Sequence, residues 1–332
     1  MLKVKLSTMT PEWPLLRQTP DSKGIWNGCQ FYVDQDIEDC DYWVVYEGVL
    51  KTERTFCPLE NIILITAEPF SGHYPQKFLA QFKRVVTFHR DIKHPNVIYS
   101  QPGLPWHVGR RVINGKNISF TKDYNELKAI KHFEKDKLIA VISSDKTFYS
   151  GHVKRLKFVK KIAKQKRFDI DIFGRGINEI EDKWDAIARY KYNIAIENST
   201  YPDYFTEKLT DVFLGGSYPF YYGCTNIFDY FPEGSLTVID INNFDEAIEI
   251  IDSAIKNKLY EKSIEKIQAA RDLVLDKYNI FPLITNIINS THPSKNKDRK
   301  LVKIEPARRF LSLSTRVINK IEVNVNRLRA IL

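Results

Sequence analysis

Short apolar runs alternate with polar, helix-forming stretches along the chain, and this pattern predicts a parallel α/β protein. Tyr42–Tyr46 is an apolar run that follows an acidic, turn-like stretch of Asp34, Asp36, Glu38, Asp39 and Asp41. That stretch lacks the central glycine and closing glutamate of a calcium loop, so it reads as a solvated loop. Residues 61–66 are almost continuously apolar, as expected of a parallel strand buried on both faces, and end in Ala67, Glu68 and Pro69. Residues 85–88 repeat the pattern and end in His89 and Arg90. Pro95, Pro102, Gly103 and Pro105 mark a loop-rich region around Trp106, and residues 125–137 read as a polar, helical crossover between domains.

A second alternating series begins at 138–143, a predicted strand. Residues 154–165 predict a basic amphipathic helix with Leu156, Val159 and Ile162 on one face. Strands are predicted at 168–173, 193–197, 218–221 and 238–241. A helix is predicted at 205–214, closed by Gly215 and Gly216, and further helices run from 244 to 289. Two such halves predict two Rossmann-like domains facing a cleft, with boundaries at 1–130 and 131–290. The tail 291–332 is set apart as a basic linker and an amphipathic helix. Its stripe of Phe310, Leu313, Val317, Ile321, Val325, Leu328 and Leu332 recurs every three or four positions.

Length and charge fit this picture. The chain has 332 residues, more than a single core usually organises. Its net charge is +9, but from Lys295 onward eleven basic residues face only three acids. The remainder is nearly neutral, which argues against a nucleic-acid surface and moves the charge to an appendage. A basic amphipathic tail suits an anionic membrane; dimerisation or packing on the core are its alternatives. No run approaches the ~20 apolar residues of a spanning helix, and residues 1–16, broken by Pro11 and Pro14, lack a signal-peptide core. A cytoplasmic protein, peripheral on the inner face of a plasma membrane, is therefore expected. Cys29, Cys40, Cys57 and Cys224 show no metal spacing and read as reduced, partly buried thiols, with one disulfide among the first three as the alternative.

The segment best suited to chemistry runs from Asn198 to Leu209. A strand ends at Glu197 and a helix begins near Thr206, and the N-terminus of such a helix suits phosphate. Lys208 adds a full positive charge for a diphosphate, and Glu207 can accept from ribose or sugar hydroxyls. Spacing alone favours a plainer assignment, in which Thr206 caps the helix and Glu207 and Lys208 are surface charges.

A resemblance changes that balance. The segment 190–198 (Tyr-Lys-Tyr-Asn-Ile-Ala-Ile-Glu-Asn) is followed by Tyr204-Phe205-Thr206-Glu207-Lys208, Asp211-Val212-Phe213 and Pro219-Phe220-Tyr221-Tyr222-Gly223. Together they closely resemble the signature of the α-1,3/4-fucosyltransferases, glycosyltransferase family 10. Asn243-Phe244-Asp245-Glu246-Ala247 is similar to bacterial members, and the strong match spans 168–251. The resemblance implies a GT-B fold and an inverting α-1,3-fucosyltransferase using GDP-fucose, with a glycan acceptor such as lipopolysaccharide. A related enzyme using another nucleotide sugar, and an inert nucleotide- or carbohydrate-binding module, are the rival readings.

The resemblance also implies residue roles. Asn198, Tyr204, Glu207 and Lys208 match donor-binding positions. Ser143 and Ser144, followed by Gly151 through Phe158, look like the family's strand–loop–helix, which places a phosphate-binding arginine at Arg155, with Lys154 as fallback and Ser144 on the donor side. Glu68 matches a strand-end general base and joins Glu207 as a catalytic candidate. His89 and Arg90 are acceptor-side candidates. No Asp-x-Asp motif closes a strand, so no essential metal is expected.

Overall fold

The computed structural model describes residues 1–113, 116–145, 150–174, 176–290 and 298–311. The described residues divide into two units, one comprising 1–105, 123–125 and the part of the chain from 277 to 311, the other 106–122 and 126–276.

The first unit is built on a seven-stranded sheet. Its strands are ordered Ile25–Trp26, Cys29–Val33, Leu2–Thr8, Tyr42–Tyr46, Ile62–Ile65, Arg84–Thr87 and Val97–Tyr99. All neighbours are parallel except the first pair. The third strand in this order, Leu2–Thr8, is hidden in the sequence because Lys3 and Lys5 interrupt its apolar positions. Lys5 is only 1% exposed, and its ammonium donates to the Gln35 carbonyl at 2.6 Å and lies 3.3 Å from Glu53. One face packs Val4, Leu6, Phe31, Val44, Ile63 and Ile65 against the helix Ile280–Ser290. That helix was expected in the other domain. It is apolar on nearly every side, and Phe281 meets Phe31 edge-on at 4.9 Å, so it is buried against this sheet.

Residues 298–311, part of the segment expected as a linker and tail, also join this unit. Lys300–Ile304 is a strand antiparallel to Glu53–Cys57, with Val302 and Ile304 buried. Ala307–Arg309 forms a single 3₁₀ turn, and Phe310 packs beside it on the core rather than opening an amphipathic helix. The rest of the predicted stripe, Leu313 to Leu332, lies outside the described residues. The acidic stretch 34–41 is not simply solvated. Asp34 accepts from the Thr8 amide and hydroxyl, while Asp39 and Asp41 pair with Lys3 and Arg299, fastening the first strand and the C-terminal one together. All four cysteines are buried, free thiols.

The second unit holds a five-stranded parallel sheet ordered Asp171–Phe173, Lys137–Ile142, Tyr190–Ile196, Tyr218–Tyr222 and Thr237–Val238. Helices Ser150–Ile162, Glu207–Leu214, Phe244–Lys256 and Ile264–Asp276 accompany it. Residues 106–122 were expected in the N-terminal domain but belong here. Asp211 accepts from the His107 amide at 2.8 Å and Asp182 accepts from the Gly109 amide at 2.9 Å, which ties their start down. The predicted crossover helix shortens to Tyr124–Ala129. Beyond it, Lys135 reaches back to the Gly215 carbonyl and Ser217 hydroxyl, and a continued helix would not allow this. Among the described residues, no helix is long and apolar enough to cross a membrane.

Candidate functional site

In an open parallel sheet, ligands collect beyond the strand C-termini where strand order reverses. In the second unit the chain leaves Lys137–Ile142 for one neighbour, Asp171–Phe173, and later returns to the other, Tyr190–Ile196. At that reversal lies a cavity of about 210 Å³. Ser150, Gly151 and Lys154 line it from the start of the helix Ser150–Ile162, and Glu197, Asn198, Tyr201, Tyr222 and Ile241 line it from the following strand ends. Gly151 permits the approach: a Cβ there would stand 1.7 Å from the Asn198 carbonyl oxygen.

Arg155 sits one residue beyond Lys154 and is 5% exposed. Its guanidinium donates to Asn198 Oδ1 and, at 3.3 Å, to Ser144 Oγ, while its Nε has no partner among the described residues. An orphaned, buried N–H on an arginine is costly and points to an acceptor still to come. Burial lowers the Arg155 pKa, and the Glu207 and Glu197 carboxylates oppose that shift.

The helix Glu207–Leu214 is arranged differently from the expectation. A carboxylate of the chain lies beside its N-terminus and binds the capping residue. Glu197, wholly buried, accepts from the Thr206 amide at 2.7 Å and from its hydroxyl at 2.7 and 3.0 Å. Thr206 in turn caps the helix by accepting from the Lys208 amide at 3.3 Å. Gly223 leaves room for Glu197, since a Cβ there would meet its Cγ at 2.5 Å. Lys208 Nζ then lies 3.1 Å from Glu207 and 3.6 Å from Glu197. Burial works against the ammonium, yet the two carboxylates raise its pKa. Burial likewise resists ionisation of Glu207, but Lys208 and the surrounding cations hold it well below the usual carboxylate range. Lys183 extends the network, 3.7 Å from Glu207 and 3.1 Å from the buried Asp211.

The structure thus brings together Ser144, Arg155 and Asn198 in one group and Glu207 and Lys208 in another, with Glu197 common to the cavity wall and the helix cap. Tyr204 is buried, and its carbonyl accepts from the Tyr221 hydroxyl at 3.5 Å. Glu197, Lys183 and Tyr222 were not selected from the sequence. Glu197 had a signal: it is a charge directly beside Asn198 at the end of an apolar run.

Glu68, His89 and Arg90 belong to the first unit, at the C-terminal ends of two adjacent strands. Glu68 is exposed. His89 is 4% exposed and its Nε2 donates to the Glu68 carbonyl at 2.9 Å. Arg90 lies over the Tyr99 ring, 3.9 Å from its centre.

A parallel α/β unit with buried cations and a polar cavity at the point of strand reversal has the organisation of a nucleotide-binding domain. Residues 132–259 match the family described as glycosyltransferase family 10 (fucosyltransferase) C-terminal domain. An α-(1,3)-fucosyltransferase of Helicobacter pylori is 34% identical over 73 residues, covering 22% of this chain and 15% of that protein. The mouse 4-galactosyl-N-acetylglucosaminide 3-α-L-fucosyltransferase 9 is 32% identical over 133 residues, 38% of this chain and 36% of its own length. The chain therefore aligns with well under half of these relatives. Among solved structures, an α1,3-fucosyltransferase with GDP-fucose is similar over 84% of this chain and 92% of its own, at 15% identity and a TM-score of 0.47. A glycosyltransferase from Rickettsia africae aligns over 89% of this chain and 100% of its own, at 10% identity and the same TM-score.

Proposed function

We propose that the protein is an inverting α-1,3-fucosyltransferase that moves L-fucose from GDP-fucose to a hydroxyl of a glycan acceptor. The observation that carries this reading is the polar cavity at the strand reversal of the family-matched unit, walled by Gly151, Lys154 and Asn198 and backed by Arg155 with its unpartnered Nε. The diphosphate is assigned to the start of the helix Ser150–Ile162, where backbone amides, Lys154 and Arg155 converge, rather than to the capped helix at Thr206. Arginine grips two oxygens at once and lysine acts as a point charge.

Charge flow supplies the mechanism. As the sugar–phosphate bond breaks, the fucose carbon gains oxocarbenium character and the leaving nucleotide gains negative charge. Arg155, Lys154 and Lys208 stabilise that charge where it develops. Glu207, kept ionised among cations, is assigned to hydroxyl recognition. Glu68 takes the proton of the attacking hydroxyl, a role typically worth ~10²–10⁴-fold. The acceptor class is a surface glycan such as lipopolysaccharide, and the basic C-terminal segment is assigned to contact with an anionic membrane.

The test uses purified protein, labelled GDP-fucose and a panel of glycan acceptors that includes a 4-galactosyl-N-acetylglucosaminide. Arg155→Ala and Lys208→Ala should each lower turnover at least ~100-fold with secondary structure intact. Near-normal turnover in both would overturn the donor site.

A further inference from the structure

The Glu68 carboxylate has no hydrogen-bond or ion-pair partner among the described residues, whereas its backbone is held on both sides. The amides of Ala67 and Glu68 both donate to the Tyr74 hydroxyl oxygen, each at 3.2 Å. The Glu68 carbonyl accepts from His89 Nε2 at 2.9 Å. A carbonyl cannot donate, so Nε2 carries the hydrogen and the tautomer is set. Pro69 follows and restricts Glu68 to extended backbone.

Both holding side chains are buried, Tyr74 at 5% and His89 at 4% exposure. His89 follows a strand end, and Tyr74 closes the 3₁₀ turn Ser71–His73. The His89 amide donates to Thr87 Oγ1 at 3.1 Å, and the same oxygen accepts from Thr66 Oγ1 at 2.6 Å. Thr66 directly follows the strand Ile62–Ile65, and Thr87 closes the next strand. The loop that carries Glu68 is therefore tied to both of them.

A strand-end glutamate that merely faces solvent needs no such support. A carboxylate that must meet an acceptor hydroxyl does, because misplacement by about 1 Å can cost ~10²-fold in rate. We propose that Tyr74 and His89 are positioning residues that hold the Glu68 peptide so that its carboxylate projects in one fixed direction from the sheet edge. His89 thereby acts through the loop backbone rather than by lining the acceptor side. The proposal rests on the reading of Glu68 as the general base.

The experiment measures fucose transfer from GDP-fucose to the 4-galactosyl-N-acetylglucosaminide, or whichever member of the acceptor panel the wild type uses. Variants are Tyr74→Phe, His89→Leu and His89→Gln, each alone and combined with Glu68→Gln. Tyr74→Phe and His89→Leu should lower kcat about 10- to 100-fold while KM for GDP-fucose stays within about twofold. His89→Gln, whose amide can still donate to the Glu68 carbonyl, should recover most of the loss. In the Glu68→Gln background neither substitution should cost more, because the group they position is gone. Should Tyr74→Phe fail to fold, the contrast between His89→Leu and His89→Gln carries the test. Wild-type kcat in the single variants, or losses that persist in full beside Glu68→Gln, would overturn the positioning role. A Glu68→Gln enzyme that transfers at the wild-type rate would instead refute the base assignment beneath it.

Discussion

Glu47 ends the strand Tyr42–Tyr46 in an unusual state. Its φ is +65°, a left-handed conformation that costs a residue other than glycine roughly 1 kcal/mol. Its amide donates to the Ile65 carbonyl at 2.8 Å, which brings it beside the loop that carries Glu68. Glu68 and Tyr74 are the ionisable groups that face it. Burial, and after it the Glu68 charge, push the Glu47 pKa from 4.5 to about 8. The folded state thus holds this proton more tightly than the unfolded chain does. Its contribution to stability is fully present below the unfolded value, declines as pH rises from 4.5 towards 8, and is gone above that. At about 1.36 kcal/mol per unit the full shift is worth about 5 kcal/mol. Glu47 is only half-buried, so solvent screening reduces this to about 2–3 kcal/mol. Glu47→Gln keeps the shape and removes the charge. Urea unfolding of both proteins should show little difference at pH 5 and a variant more stable by about 2–3 kcal/mol at pH 9. His73 and His89, both lowered mainly by burial, titrate in the two proteins alike and cancel in the difference. An offset that is equal at pH 5 and pH 9 would refute the reasoning.

Three further outcomes follow from the same geometry. Gly151→Ala drives a Cβ into the Asn198 carbonyl, so GDP-fucose affinity by calorimetry should fall at least ~10-fold; unchanged affinity would move the donor away from the cavity. Asp211→Ala frees the His107 and Val108 amides and strands Lys183, at about 3–5 kcal/mol, and amide exchange at 107–108 should quicken if Asp211 is what holds that segment. Removal of residues 312–332 should abolish flotation with anionic vesicles if that segment provides membrane contact, and equal flotation of both forms would exclude it. The cut must follow residue 311, because a cut at 301 would also delete the buried Val302 and Ile304.

The sequence revealed each element whose apolar residues were contiguous, and concealed those whose burial depends on distant partners. Tyr42–Tyr46 and the strand Ile62–Ile65 were legible because both faces are covered. Leu2–Thr8, the strand between Cys29–Val33 and Tyr42–Tyr46, was not, because its Lys5 is neutralised by Glu53, which lies 48 positions away in the chain. The helix Ile280–Ser290 was recognised as a helix but assigned to the wrong unit, since periodicity gives no information on which sheet an all-round apolar helix will choose. The site divides in the same way. Arg155, Ser144 and Asn198 were each selected from the motif, and their mutual hydrogen bonds follow from two adjacent strand ends. The Thr206 cap was legible, but its own partner, the carboxylate at the preceding strand end, was not, because nothing in the spacing shows that Glu197 turns inward. Glu197 turns to Thr206 and Lys208, and this holds the lysine in place at the start of the helix. Glu68, also at a strand end, turns outward with its backbone fixed. In sequence these two glutamates look alike, each closing an apolar run. The two are told apart by where their hydrogen bonds fall, on the side chain of Glu197 and on the peptide that carries Glu68.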